Sequence, residues 1–116
     1  MKQAKFLETE ALLHDPNYEH SETLITGRQF RLERIISIGH QTPHGQWYDQ
    51  EHDEWVLLVQ GNASVESESG HIAVLKPGDY LFIPAHERHR VAETSSDTPC
   101  FWLALHGQFD TDVSQD

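Results

Sequence analysis

From Glu22 onward the chain consists of short apolar runs cut at near-regular intervals by glycine, proline and asparagine. Thr23-Leu24-Ile25-Thr26 ends at Gly27. Phe30, Leu32 and Arg34 then alternate with Arg31 and Glu33, and Ile35-Ile36-Ser37-Ile38 runs into Gly39. Such alternation places every second side chain on one face of a strand, whereas a helix repeats at about 3.6 residues. Trp55-Val56-Leu57-Leu58-Val59-Gln60 leads into Gly61-Asn62, Ala63 to Glu68 alternates up to Ser69-Gly70, and His71-Ile72-Ala73-Val74-Leu75 follows. Lys76-Pro77-Gly78-Asp79 turns the chain into Tyr80-Leu81-Phe82-Ile83, which Pro84 stops, and Cys100 to Leu105 forms a last apolar strand. Short strands with a turn signal about every ten residues predict an all-β sandwich or barrel.

The remaining segments carry little periodicity. Residues 1–20 are polar, with an apolar run at Ala11-Leu12-Leu13 and a turn signal at Asp15-Pro16-Asn17; residues 7–13 alone hint at a helical period. Residues 40–46, with Pro43 and Gly45, read as a loop, and Gly107 to Asp116 as a loose acidic tail.

A chain of 116 residues forms one domain around a single core. Its 19 acidic and 8 basic residues give a formal charge of −11, which argues against nucleic acid, whose phosphates need a basic face. Lysines and arginines are too scattered to grip an anionic membrane, and no apolar run approaches the roughly 20 residues of a bilayer span. The negative field favours cations instead. The N-terminus lacks the apolar stretch of a signal peptide, and a lone Cys100 excludes an intramolecular disulfide. A cytoplasmic protein is the expectation.

Gly78, Pro84 and His89 stand at the spacing of the second motif of the cupin superfamily, with His86 where that motif has its second glycine. Glu54 and Gly61 fit the second half of the first motif, while Tyr48 and Gln50, or Trp47 and Asp49, stand where its two histidines belong. The chain thus resembles small single-domain bacterial cupins over roughly residues 22–106. The resemblance implies a double-stranded β-helix, or jelly roll, with a polar segment before it and the acidic tail after. It also implies a homodimer, as does the need to cover sheet edges. Cupins include dioxygenases, isomerases and binding proteins, so the fold does not fix an activity.

Residues two apart in a strand share a side. Extended from Tyr48 to Glu54, the chain would set Tyr48, Gln50, His52 and Glu54 on one face and Asp49, Glu51 and Asp53 on the other. The resemblance points Glu54 into the barrel, making Gln50 and His52 its neighbours, with His89 arriving from the opposite strand. Such mixed oxygen and nitrogen donors with open positions suit Mn²⁺, Fe²⁺, Ni²⁺ or Zn²⁺. With His52 as third ligand the set is two histidines and a carboxylate, as used by non-haem iron; with Gln50 the cation is held more weakly. Asp49 is the other contender for the vacant histidine position.

Tyr48 is a candidate general acid beside the metal, or else a barrel-lining aromatic. His86 is either a support behind the ligands, a mouth residue, or a solvated turn residue. Arg88 and Arg90 flank His89 and read as facing away from it, paired with surface carboxylates. The alternative is an anchor for a substrate carboxylate. His106 reaches the interior if its parity matches Trp102 and Ala104. His40 and His44 read as loop residues, and Trp47, Trp55 and Trp102 as core or interface aromatics. A calcium-loop reading of the acidic run from Asp49 fails, because its sixth and twelfth positions hold Glu54 and Gln60 instead of Gly and Glu. Cys100 has no basic neighbour to activate it.

Three functions follow from these residues. The first is a metal-dependent enzyme acting on a small polar or carboxylated molecule held in the barrel. The second is a metal-free small-molecule-binding cupin without turnover. The third is a structural subunit whose barrel is filled by its own side chains.

Overall fold

The computed structural model describes residues 1–10 and 19–110. The Ala11-Leu12-Leu13 run, His14, the Asp15-Pro16-Asn17 turn and residues 111–116 of the tail lie outside the described residues. The described residues form eight strands: β1 His20–Thr26, β2 Phe30–Ser37, β3 Asp53–Gln60, β4 Ala63–Ser67, β5 Ile72–Leu75, β6 Tyr80–Ile83, β7 His89–Thr94 and β8 Cys100–Gly107. They make a five-stranded sheet, in the order β1-β2-β8-β3-β6, and a three-stranded sheet, β5-β4-β7. All pairings are antiparallel. This is the expected jelly roll. Among the described residues no helix is long and apolar enough to cross a membrane.

The core fills the space between the sheets. Val56 and Leu58 of β3, Trp102 and Ala104 of β8, Val65 of β4 and Ile83 of β6 are buried against one another. Antiparallel register sets their common direction, since Val56 lies opposite Ala104 and Leu58 opposite Trp102. Several turns have a left-handed backbone, those at Gly61 and His86 among them. Gly61 has φ +93°, and a Cβ there would fall 2.6 Å from Cys100 Sγ. His86, where the family motif has glycine, has φ +65°.

Two strands are not marked by their apolar pattern. Strand β7 does not show in the apolar pattern, because His89-Arg90-Val91-Ala92-Glu93-Thr94 offers only two apolar side chains. On β2 the alternation does not by itself mark the inner face. Phe30, Leu32 and Arg34 point outward, and Glu33 and Ile35 point inward to the space between the sheets. The outward face is nevertheless covered at one end by the N-terminal segment. Arg34 is 2% exposed and donates to the carbonyls of Phe6 and Glu8 at 2.6 and 2.8 Å, while Phe6 packs on Phe101.

Candidate functional site

A cavity of about 140 Å³ lies between the sheets. Ile35, Val56, Val65, Ile83, Val91 and Trp102 form its apolar wall. Its polar end is built where β3, β8 and β2 run side by side. Glu54 lies directly opposite His106, and Glu33 comes from the next strand over. Residues opposite one another on one face of an antiparallel pair have Cβ atoms about 5 Å apart, which sets Glu54 beside His106, while Glu33, opposite Ala104, is the diagonal neighbour of His106. Glu54, His89 and His106 are all buried.

His89 opens β7 with its imidazole turned inward. Its Nδ1 lies 2.9 Å from the Glu87 carbonyl oxygen. A carbonyl can only accept, so Nδ1 carries the proton and Nε2 presents a lone pair to the cavity. That Nε2 lies 3.8 Å from Glu54 Oε1. His106 is held differently. Its Nε2 is 2.6 Å from Glu33 Oε1, and the carboxylate takes the hydrogen. Arg31 Nε stands 3.6 Å from the other Glu33 oxygen.

The electrostatics follow from these contacts. Burial pushes the Glu54 carboxyl above the usual range, partly offset by His106 and His89. Glu33 moves the opposite way, held below the usual range chiefly by the hydrogen bond from His106. Glu19 is raised by burial of its carboxylate, which accepts from Ser37 Oγ at 2.9 Å; Ser37 in turn accepts from Trp102 Nε1. Among the described residues no lysine or arginine lines the cavity, and three carboxylates and two imidazoles supply its charged groups.

Tyr48 stands at the mouth. Its backbone exchanges hydrogen bonds with His89, at 2.7 and 3.1 Å, and its ring lies 5.7 Å from the His89 ring. Burial, and secondarily Glu19, raises its phenol above the ordinary value. Gln50 also lines the cavity.

His52 is not brought to the site. Strand β3 begins only at Asp53, and a bend at Glu51-His52 breaks the expected alternation. The exposed His52 lines a neighbouring groove with Arg28, Phe30 and Arg31, which shares His106 with the cavity. Asp49 also faces away, pairing with His86 Nδ1 at 2.9 Å on the surface. That contact places His86 outside the cavity. Arg88 pairs with Glu68 at 2.8 Å, and Arg90 with Glu66 at 3.1 Å and the Thr42 carbonyl, so both face away from His89 Nε2. His106 has the parity of Trp102 and Ala104 and does reach the cavity. Glu33 and Glu19 were missed. The shared parity of Glu33 with Ile35 was the signal for the first; Glu19 precedes β1 and shows none.

Among the described residues no three His, Cys, Asp or Glu side chains are gathered as metal ligands. Glu54 and His89 nevertheless offer two strong donors, with Gln50 in the same cavity. That donor chemistry fits a divalent cation held loosely.

Comparison with known proteins places these features in context. Residues 35–106 match the family model described as Cupin domain. A Ralstonia eutropha JMP134 protein, provisionally named a mannose-6-phosphate isomerase, superposes with a TM-score of 0.86 at 38% identity, covering 94% of this chain and all of that one. A cupin superfamily protein from Desulfitobacterium hafniense DCB-2 superposes with a TM-score of 0.66 at 19% identity, over 80% of each chain. Among curated proteins, the RCS-specific HTH-type transcriptional activator RclR of Escherichia coli K12 is 32% identical over 66 residues. That match spans 57% of this chain and only 23% of the activator.

Proposed function

The chain belongs to the cupin family, and from that premise we propose a small-molecule cupin in which Glu54 and His89, with Gln50 beside them, hold a divalent cation loosely. The observation that carries this reading is the 3.8 Å approach of His89 Nε2 to Glu54 Oε1, with Nδ1 anchored on a backbone carbonyl. Such anchoring fixes ring orientation in metal-ligating histidines. The purely carboxylate and imidazole charge of the lining supports it as well. Among Mn²⁺, Fe²⁺, Ni²⁺ and Zn²⁺ the donors make no choice.

Bound there, a cation supplies Lewis-acid polarisation of a ligand oxygen. The protein's own groups do the rest. The apolar wall excludes water from one side of the ligand. Tyr48, a phenol raised above its ordinary value and so protonated at neutral pH, is the proton donor at the mouth.

The name of the Ralstonia protein suggests a sugar phosphate. In this chain a phosphate would face Glu19, Glu33 and Glu54 with no lysine or arginine in the lining. The cavity is also smaller than the roughly 300 Å³ at which drug-sized pockets begin. We therefore read the ligand as a smaller polar molecule, carboxylated only where the cation offsets the lining. The acidic charge supports a small-molecule partner in preference to nucleic acid, in a cytoplasmic setting.

A second reading, metal-free binding, draws on the commitment of His106 to Glu33, which leaves only two strong donors. Calorimetric titration with Zn²⁺, Ni²⁺ and Mn²⁺ decides between them. The first reading expects binding by the wild type that is lost in both Glu54→Gln and His89→Ala. Absence of binding by the wild type, or equal binding by both variants, overturns it.

We also propose a homodimer. Support comes from the exposed aromatic residues Tyr80 and Phe82 on the outer face of edge strand β6. Light scattering giving a monomer mass overturns that assignment.

A further inference from the structure

Glu54 has two imidazoles near it, and one of them is already occupied. His106 sits directly across the β3–β8 pair from Glu54. By register its Cβ lies beside that of Glu54 on the same face of the sheet. Its Nε2 is instead turned to Glu33 at 2.6 Å, and Arg31 supports Glu33 from the other side at 3.6 Å. A nitrogen that carries a proton into a carboxylate has no lone pair to give a metal.

We propose that Glu33 withholds His106 from the cation site, and that removing its carboxylate converts Glu54 and His89 into a two-histidine, one-carboxylate centre. The inference rests on the Glu54–His89 reading above but makes a separate claim about β2. Three adjacent strands each contribute one member: Glu54 from β3, His106 from β8 and Glu33 from β2. Glu33 thereby sets the strength of the site. With it, two strong donors and an amide hold the cation loosely; without it, a third strong donor is released. Loss of one negative charge works against the gain, but a new imidazole ligand outweighs a charge that makes no bond to the metal.

The test is Zn²⁺ affinity, read by competition with a chromophoric chelator. It compares wild type, Glu33→Leu, Glu33→Ala, His106→Ala and the double variant Glu33→Leu/His106→Ala. Leucine occupies the space without an acceptor, whereas glutamine would still hold the imidazole. The expected result is at least about tenfold tighter Zn²⁺ binding in Glu33→Leu and Glu33→Ala, the scale on which a ligand's surroundings change metal affinity. The double variant should lose that gain, and His106→Ala alone should match the wild type. Weaker binding in the Glu33 variants would make Glu33 itself a ligand and overturn the proposal, as would a gain that survives in the double variant or no gain at all.

A measurement on the unaltered chain stands beside these, whether or not the variants fold. With ¹⁵N-labelled histidine, Zn²⁺ should shift the His89 ring nitrogen and leave the His106 Nε2 proton in place; loss of that proton overturns the proposal. The two claims fail separately. A wild type that binds no Zn²⁺ while Glu33→Leu binds it through His106 removes the earlier reading and keeps this one. Wild-type binding that Glu33→Leu leaves unchanged does the reverse.

Discussion

Replacing Glu33 by alanine probes the hydrogen-bonded pair at the polar end of the cavity. The substitution removes the acceptor for a buried imidazole N–H. His106 is 6% exposed and its hydrogen bond to Glu33 is 2.6 Å long. Hydrogen bonds to charged groups contribute about 1.5–3 kcal/mol, and an orphaned buried donor costs a similar amount. Two features place the loss toward the lower end. The cavity, at about 140 Å³, can admit water to the abandoned N–H. Arg31 also loses a partner, but that contact is long and half exposed. We expect Glu33→Ala to lower stability by about 1.5 kcal/mol at neutral pH.

The pH dependence sharpens the test. The Glu33 carboxyl is held below its ordinary value of 4.5 in the folded chain, so its stabilisation is fully present above that value. It fades as pH falls through the lowered folded value. Urea denaturation followed by tryptophan fluorescence, at neutral pH and at successively lower pH, should show the gap between wild type and Glu33→Ala closing on acidification. A variant as stable as wild type at neutral pH, or a gap that does not shrink in acid, refutes the reasoning.

Other substitutions test other parts of the account. Glu54→Gln should raise stability at mildly alkaline pH by about 1 kcal/mol while abolishing cation binding, a common exchange between site and scaffold. The sign follows from burial. A carboxyl raised in the folded state favours folding below its unfolded value and disfavours it once ionised, so the melting-temperature difference should vanish in acid. His86→Ala keeps the left-handed backbone and loses the Asp49 contact, whereas His86→Gly relieves the backbone; glycine should exceed alanine by about 1 kcal/mol in urea denaturation. Equal stabilities would show that φ +65° carries no strain. Gly61→Ala should cost about 3 kcal/mol, because its Cβ meets Cys100 on a backbone that disfavours side chains. A melting temperature within a few degrees of wild type would contradict that.

The fold was legible because most strands carry their own punctuation. Gly61, Gly70 and Gly78 mark turns with positive φ, and apolar runs between them lie where pattern places them. Strand β7 carries no such apolar pattern, and its partner strand, more than its side chains, decides its conformation: Glu66 and Ser67 of β4 pair with Arg90 and His89. The site was legible in half. Glu54 and His89 follow from motif spacing, and both reach the cavity. His52 was misplaced because alternation holds only inside a strand, and the chain bends just before Asp53. Glu33 was passed over because an acid alternating with phenylalanine and leucine reads as the solvent side. On β2 the apolar side lies outward, part of it under the N-terminal segment, while the inward side furnishes the polar end of the cavity. No single-strand pattern distinguishes these cases.

Crystals grown with Zn²⁺, with diffraction recorded on both sides of the zinc absorption edge, would test the central claim most directly. The account predicts an anomalous peak between Glu54 and His89 Nε2, with Gln50 beside it and His106 still bonded to Glu33. A cavity without zinc, or zinc held only at surface groups such as His52 or the His86–Asp49 pair, would contradict it.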